Sequence, residues 1–190
     1  SLDVLMRGND PDELRQKPIA IQAASGNQQW VHERSRAAAR QGITPGMSIG
    51  AALSLTDQLI VYPRDEQAEV TALKAIAAWA QQYTPTISLQ PPRGLLLEVQ
   101  GSLTLFGGIE ELQARIAQGL QILGYHARMA SAPTPLGAWL LAHAGYGQPV
   151  ADLQALARIL RKLPVELLER PEPARKALRG MGLRTVGDCL

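Results

Sequence analysis

The run Pro91-Pro92-Arg93-Gly94-Leu95-Leu96-Leu97-Glu98-Val99 constrains the fold of this chain more than any other stretch. A Pro-Pro-Arg-Gly turn feeds three consecutive leucines, the pattern of a strand over 95–99 that starts abruptly at a turn. Further short strand patterns occur at 18–22, 29–32, 59–62, 87–89 and 128–130. The first two face each other across Gly26-Asn27, a turn-favouring dipeptide. Between the strands lie helical patterns. Asp12 to Arg15 reads as a helical turn, and Ser35 to Gln41 is rich in Ala and Arg and stops at Gly42. Ser48 caps a helix through Leu55. Asp65 to Gln82 places Val70, Leu73, Ile76, Ala77 and Ala80 on one face, and Ile109 to Leu123 presents Leu112, Ile116, Leu120 and Ile122. A helix begins at Pro135 and runs to His143. This order predicts an α+β fold, a mixed sheet with helices packed on it.

Gly145-Tyr146-Gly147-Gln148-Pro149 clusters Gly and Pro between two helical patterns and marks a boundary. It predicts one domain over 1–150 and a small all-helical piece over 151–190. In the latter, Asp152 caps a helix to Lys162, Leu163-Pro164 opens a short one, and Pro173 to Arg179 forms a third. Gly180-Met181-Gly182 ends that helix, and Thr185 starts another.

Composition narrows the partners only slightly. The formal charge of +2 is too small to imply nucleic acid by itself. Residues 1–150 carry 11 basic and 12 acidic side chains, against 8 and 5 in 151–190, so phosphate contact is expected in the last forty residues if anywhere. The single cysteine, Cys189, excludes an internal disulfide framework and fits a reducing cytoplasm. No apolar run reaches the length of a membrane span, and no signal peptide is visible. His32, His126 and His143 lack the spacing of a metal site. Trp79 and Trp139 fall on helices and are expected in the core, with Trp30 at the edge of the hairpin.

Several segments, in order, resemble the Y-family (DinB/UmuC-type) translesion DNA polymerases. Pro18-Ile19-Ala20-Ile21 is similar to the strand after the first palm helix. Gly42-Ile43-Thr44-Pro45-Gly46-Met47-Ser48 resembles the turn into the small fingers. Ala130-Ser131-Ala132-Pro133-Thr134 resembles the strand-to-helix turn near the triphosphate, and Leu183-Arg184-Thr185-Val186-Gly187-Asp188 an element of the thumb. The resemblance implies a palm over 1–150 with fingers inserted at about 33–64, then a partial, helix-hairpin-helix-like thumb over 151–190. It also implies that the first palm strand, with the first metal-binding aspartate, lies outside this sequence.

The departures from that resemblance fall on the positions that carry chemistry. The adjacent Asp-Glu pair that holds two metal ions in active members aligns with Arg93 and Gly94, which cannot ligate magnesium. The Tyr and Arg that grip the incoming triphosphate become Arg36 and Ala39. An Asn-Lys pair and a nearby Lys become Thr134-Pro135 and Trp139. The first thumb hairpin, Gly-Ile-Gly in active members, becomes Glu169-Arg170-Pro171, which removes backbone access and one donor. Phosphoryl transfer rests on positioned metals and cations, so these changes together imply no enzyme, no cofactor and no bound metal.

The stretch from Pro91 to Gly108 is similar in particular to the ImuB group, inactive Y-family homologues of bacterial mutagenesis cassettes. That resemblance implies an adaptor in damage-induced, error-prone translesion synthesis. Its implied partners are the β sliding clamp, an error-prone C-family polymerase (ImuC) and the RecA-like ImuA, met largely through regions C-terminal to this sequence. DNA is a further expected partner, through Arg175, Lys176, Arg179 and Arg184 beside the second thumb hairpin; an ordinary solvated helix face explains the same charges. Two alternatives stay open. One is an active polymerase whose acids are Asp57, Asp65 and Glu66, which sit at a strand end with the wrong spacing; the other is a DNA-binding module acting through the thumb. Glu98 reads either as a leftover ligand or as a hydrogen-bonded or solvated carboxylate, and Arg93 as a built-in cation or a surface turn residue.

Overall fold

The computed structural model describes residues 2–7, 14, 16–168 and 172–189, without the side chains of Arg7, Glu172, Pro173, Arg175 and Arg179. The expected helical turn around Asp12 to Arg15 and the segment Glu169-Arg170-Pro171 lie outside the described residues. The chain forms two compact units, Ser1–Leu97 with Gln121–Tyr125, and Glu98–Leu120 with His126–Leu190.

The first unit is built on a mixed three-stranded sheet in the order β2-β1-β3, where β1 is Ile19–Ser25, β2 is Gln28–Arg34 and β3 is Ile60–Pro63. β1 and β2 are antiparallel across Gly26, whose φ of 57° only glycine adopts at no steric cost. β1 and β3 are parallel, with Ala20 opposite Val61. The ladder of β1 and β2 slips once: Ile21 faces Glu33 and Gln22 faces Val31, which leaves His32 as the extra residue of a bulge.

Alternation along β1 sends Ala20 to one face and Ile19 and Ile21 to the other. On the first face Ala20 meets Val31, Ala38, Ile43, Ile49, Ala52 and Leu59 in one buried cluster, with Met47 and Val61 at its border. Each fully buried aliphatic side chain there, such as Ile43, contributes about 1.5–3 kcal/mol. Two short helices, α2 (Arg36–Arg40) and α3 (Ile49–Leu55), contribute Ala38, Ile49 and Ala52 to the cluster. Ser48 accepts from the Ala51 amide at 3.2 Å to start α3, the cap its position predicts.

This unit also contains α1 (Leu2–Arg7) and α4 (Glu66–Ala80). Asp65 caps α4 by accepting from the Ala68 amide at 2.8 Å, and Leu73 and Ala80 are buried on its inner face. α4 lies against a two-stranded antiparallel hairpin of β4 (Ile87–Gln90) and β5 (Gly94–Leu97). Its turn contains a cis Pro91-Pro92 bond, and Gln90 pairs with Gly94. The leucine strand therefore forms as expected but ends at Leu97 rather than Val99. The cause is local: Glu98 turns back to accept from the Gln100 amide at 2.8 Å, starting a single 3₁₀ turn over Gln100–Ser102.

The second unit contains α5 (Leu103–Phe106), most of α6 (Ile109–Ile122), α7 (Pro135–Ala144), α8 (Leu153–Leu160) and α9 (Glu172–Gly180). Leu112 and Leu120 are buried on α6 as the periodicity predicts, but Ile122 is 79% exposed. Two residues beyond Leu120, it lies roughly 200° round the helix and so faces away from the apolar stripe. Residues 128–130 form no ladder with any described strand, which corrects the strand expected there. They lead instead into Ser131, whose carbonyl accepts from Val150 at 3.0 Å. Leu140, Leu141, Val150, Leu156 and Leu163 form the core of this unit, so α7 and α8 share it. Their approach is closest at Gly137, where an added Cβ would lie 2.6 Å from Leu156. The helix expected to start at Thr185 is a 3₁₀ turn over Val186–Cys189.

Candidate functional site

Ser35 organises the first group of candidate positions. Its hydroxyl accepts from the Ile19 amide at 3.0 Å and the Ala38 amide at 3.2 Å, and donates to the Lys17 carbonyl at 2.9 Å. One side chain thereby joins the start of β1 to the first turn of α2. Arg36, the first residue of α2, is exposed, and Ala39 is half-buried with no polar atom beyond its backbone. The start of α2 is thus firmly placed, and the two candidate positions on it present a solvent-facing cation and a methyl group.

Arg93 is exposed in the β4–β5 turn, and Gly94 opens β5 with its backbone in the ladder. Glu98, the carboxylate nearest in sequence, is exposed and caps the 3₁₀ turn that follows. Of the alternative acids, Asp57 is exposed in a turn, while Asp65 and Glu66 are engaged. Asp65 caps α4, and Glu66 and Glu69 both bind Arg64, at 2.9 and 2.7 Å. The Arg64 guanidinium reaches Glu69 through both Nε and Nη2, a two-point contact that fixes the turn from β3 into α4. Hydrogen bonding to Glu69 raises the Arg64 pKa further. Burial lowers the pKa of His32, and the nearby Arg64 cation lowers it again. Among the described residues no three His, Cys, Asp or Glu side chains are grouped to hold a metal ion.

A groove of about 430 Å³ on the first unit is lined by Val4, Ala68, Thr71, Ala72, Ala75 and Tyr125, among others. Asp65, one of the alternative acids, also lines it, whereas Arg36, Ala39, Arg93, Gly94, Thr134 and Pro135 do not.

In the second unit Thr134 caps α7, accepting from the Gly137 amide at 3.1 Å, and Pro135 occupies the first helical position. The hydroxyl and the missing N–H leave the helix start satisfied by its own chain. Trp139 is half-buried rather than fully in the core, its ring 4.3 Å from that of His143. Trp79 is half-buried too and meets Tyr83 edge-on at 5.3 Å.

Lys176 and Arg184 are exposed; the side chains of Arg175 and Arg179 are not among those described. The backbone beside Arg184 is tightly held. Val165 donates to its carbonyl at 2.9 Å, Val186 donates to Leu163 and Gly187 to Arg161, each at 2.9 Å. Asp188 closes the turn, its carboxylate accepting from the Thr185 amide at 2.8 Å and the Arg184 amide at 2.9 Å. Those hydrogen bonds, Thr185 first, hold its carboxyl below the usual carboxylate range. In return Thr185 Oγ1 accepts from the Asp188 amide at 3.3 Å, a reciprocal cap. Sequence reasoning took this segment as a motif and missed its role as a clasp, although the Thr-x-x-Asp spacing carries that signal.

The architecture is that of a Y-family polymerase palm with packed helices. It is similar to Dbh DNA polymerase in an insertion ternary complex, with a TM-score of 0.77 and 19% identity over 98% of this chain and 55% of that one. It is also similar to DinB from Sulfolobus solfataricus, with a TM-score of 0.75 and 18% identity over 97% of this chain and 55% of the other. Residues 3–143 match the model of the impB/mucB/samB family, and the chain belongs to that family. Protein ImuB from two strains of Caulobacter vibrioides, NA1000 / CB15N and ATCC 19089 / CB 15, is 30% identical over 149 residues. That match covers 78% of this chain but 32% of each relative, so the chain spans about a third of their length. The family and this likeness set the chain in the context of translesion synthesis and mutagenesis. No helix among the described residues is long and apolar enough to cross a membrane.

Proposed function

We propose that this chain is part of a non-catalytic, polymerase-like adaptor in bacterial damage-induced mutagenesis. The observation that carries the reading is the turn at Arg93-Gly94. A guanidinium and a hydrogen atom stand where the resemblance puts two carboxylates, on a strand that otherwise forms as a palm strand would. Asp65, Glu66 and Glu98 support it, because each is bound to a backbone amide or to Arg64. Arg36, Ala39, Thr134 and Pro135 add to the same picture, since none offers a triphosphate a buried cation or an open glycine turn.

In this reading residues 1–150 are palm with fingers at about 33–64, and 151–190 begin the thumb. The adaptor acts in the cytoplasm, as part of an SOS-type response. It brings an error-prone C-family polymerase (ImuC) to the β sliding clamp together with the RecA-like ImuA, through regions beyond this chain. The ImuB likeness supports these partners. DNA contact through Arg175, Lys176, Arg179 and Arg184 is the second reading, favoured by the exposure of Lys176 and Arg184.

Primer extension by the complete protein with Mg²⁺ or Mn²⁺ tests the adaptor. The expected result is no nucleotide incorporation above background, and robust incorporation would sink the reading. Salt-dependent DNA binding that disappears when Arg175, Lys176 and Arg179 are neutralised would establish the second reading.

A further inference from the structure

We draw no further inference here: the strongest candidate, the largely apolar groove of the first unit between α1 and α4, lined by Val4, Ala68, Thr71, Ala72, Ala75 and Tyr125, carries none, because nothing in the structure shows what covers it.

Discussion

The turn at Arg184 to Asp188 and the turn at Gln90 to Gly94 both lie in segments that resemble a Y-family polymerase, yet they match it very differently. The first closely matches its motif, with Arg184 to Asp188 kept residue for residue. Its residues do structural work: Gly187 lets two backbones meet, and Thr185 and Asp188 cap each other. The second keeps the leucines that pair with β4 and, in the proposed reading, carries Arg93 and Gly94 where active members bear acids. On that reading, residues whose atoms hold the fold match the family, and residues whose atoms would only do chemistry do not.

The strongest challenge to this contrast is Gly187→Ala. An added Cβ would lie 2.8 Å from the Arg161 carbonyl oxygen, which is backbone and cannot swing away. We expect a loss of about 2 kcal/mol, within the range of overpacked sites, read from urea unfolding. A neutral outcome would mean that the clasp does not hold the second unit together.

Next in size is the pH response of Asp188. Its folded-state pKa is depressed, so its contribution is fully present above the unfolded value, near 3.8, and is lost as pH falls through the lower folded value. Asp188→Asn should therefore melt lower than wild type near neutral pH and flatten the stability profile below pH ~4. Identical profiles for the two proteins would break the capping account.

His32 tests the junction between sheet and helix with a smaller effect. Its folded pKa is lowered from 6.5, so the unfolded chain binds the proton more readily and stability falls as pH drops below that value. His32→Gln should remove that part of the slope between about pH 6.5 and 5, followed by thermal melts across that window. The smallest effect belongs to Arg93→Ala, an exposed turn position, expected to change stability by less than about 0.5 kcal/mol. A large loss there would show that Arg93 supports the hairpin and would blur the contrast.

Much of this architecture was legible because the signals are local. Gly26-Asn27, the caps at Ser48 and Asp65 and the periodicity around Leu73 each act within a few residues, and each produced the expected element. What stayed hidden depends on distant partners. Residues 128–130 have a strand-like pattern but no ladder to join, and the bulge at His32 is a matter of register between two strands. Gly137 and Gly187 read as ordinary glycines until Leu156 and Arg161 arrive beside them. Among the candidate positions, Arg93, Gly94, Arg36 and Ala39 were found through the family likeness alone.

The turn that leads into α3 has one more consequence. Val31 gives its amide to Met47 at 2.8 Å and takes one from Gly46 at 2.8 Å, and Trp30 bridges to Ser48. β2 is an outer strand, and an outer strand with free amides is a template on which another chain can grow. The Gly46-Met47-Ser48 turn occupies part of that template. Besides leading into α3, that turn therefore shields part of this edge of the sheet from strands of other molecules.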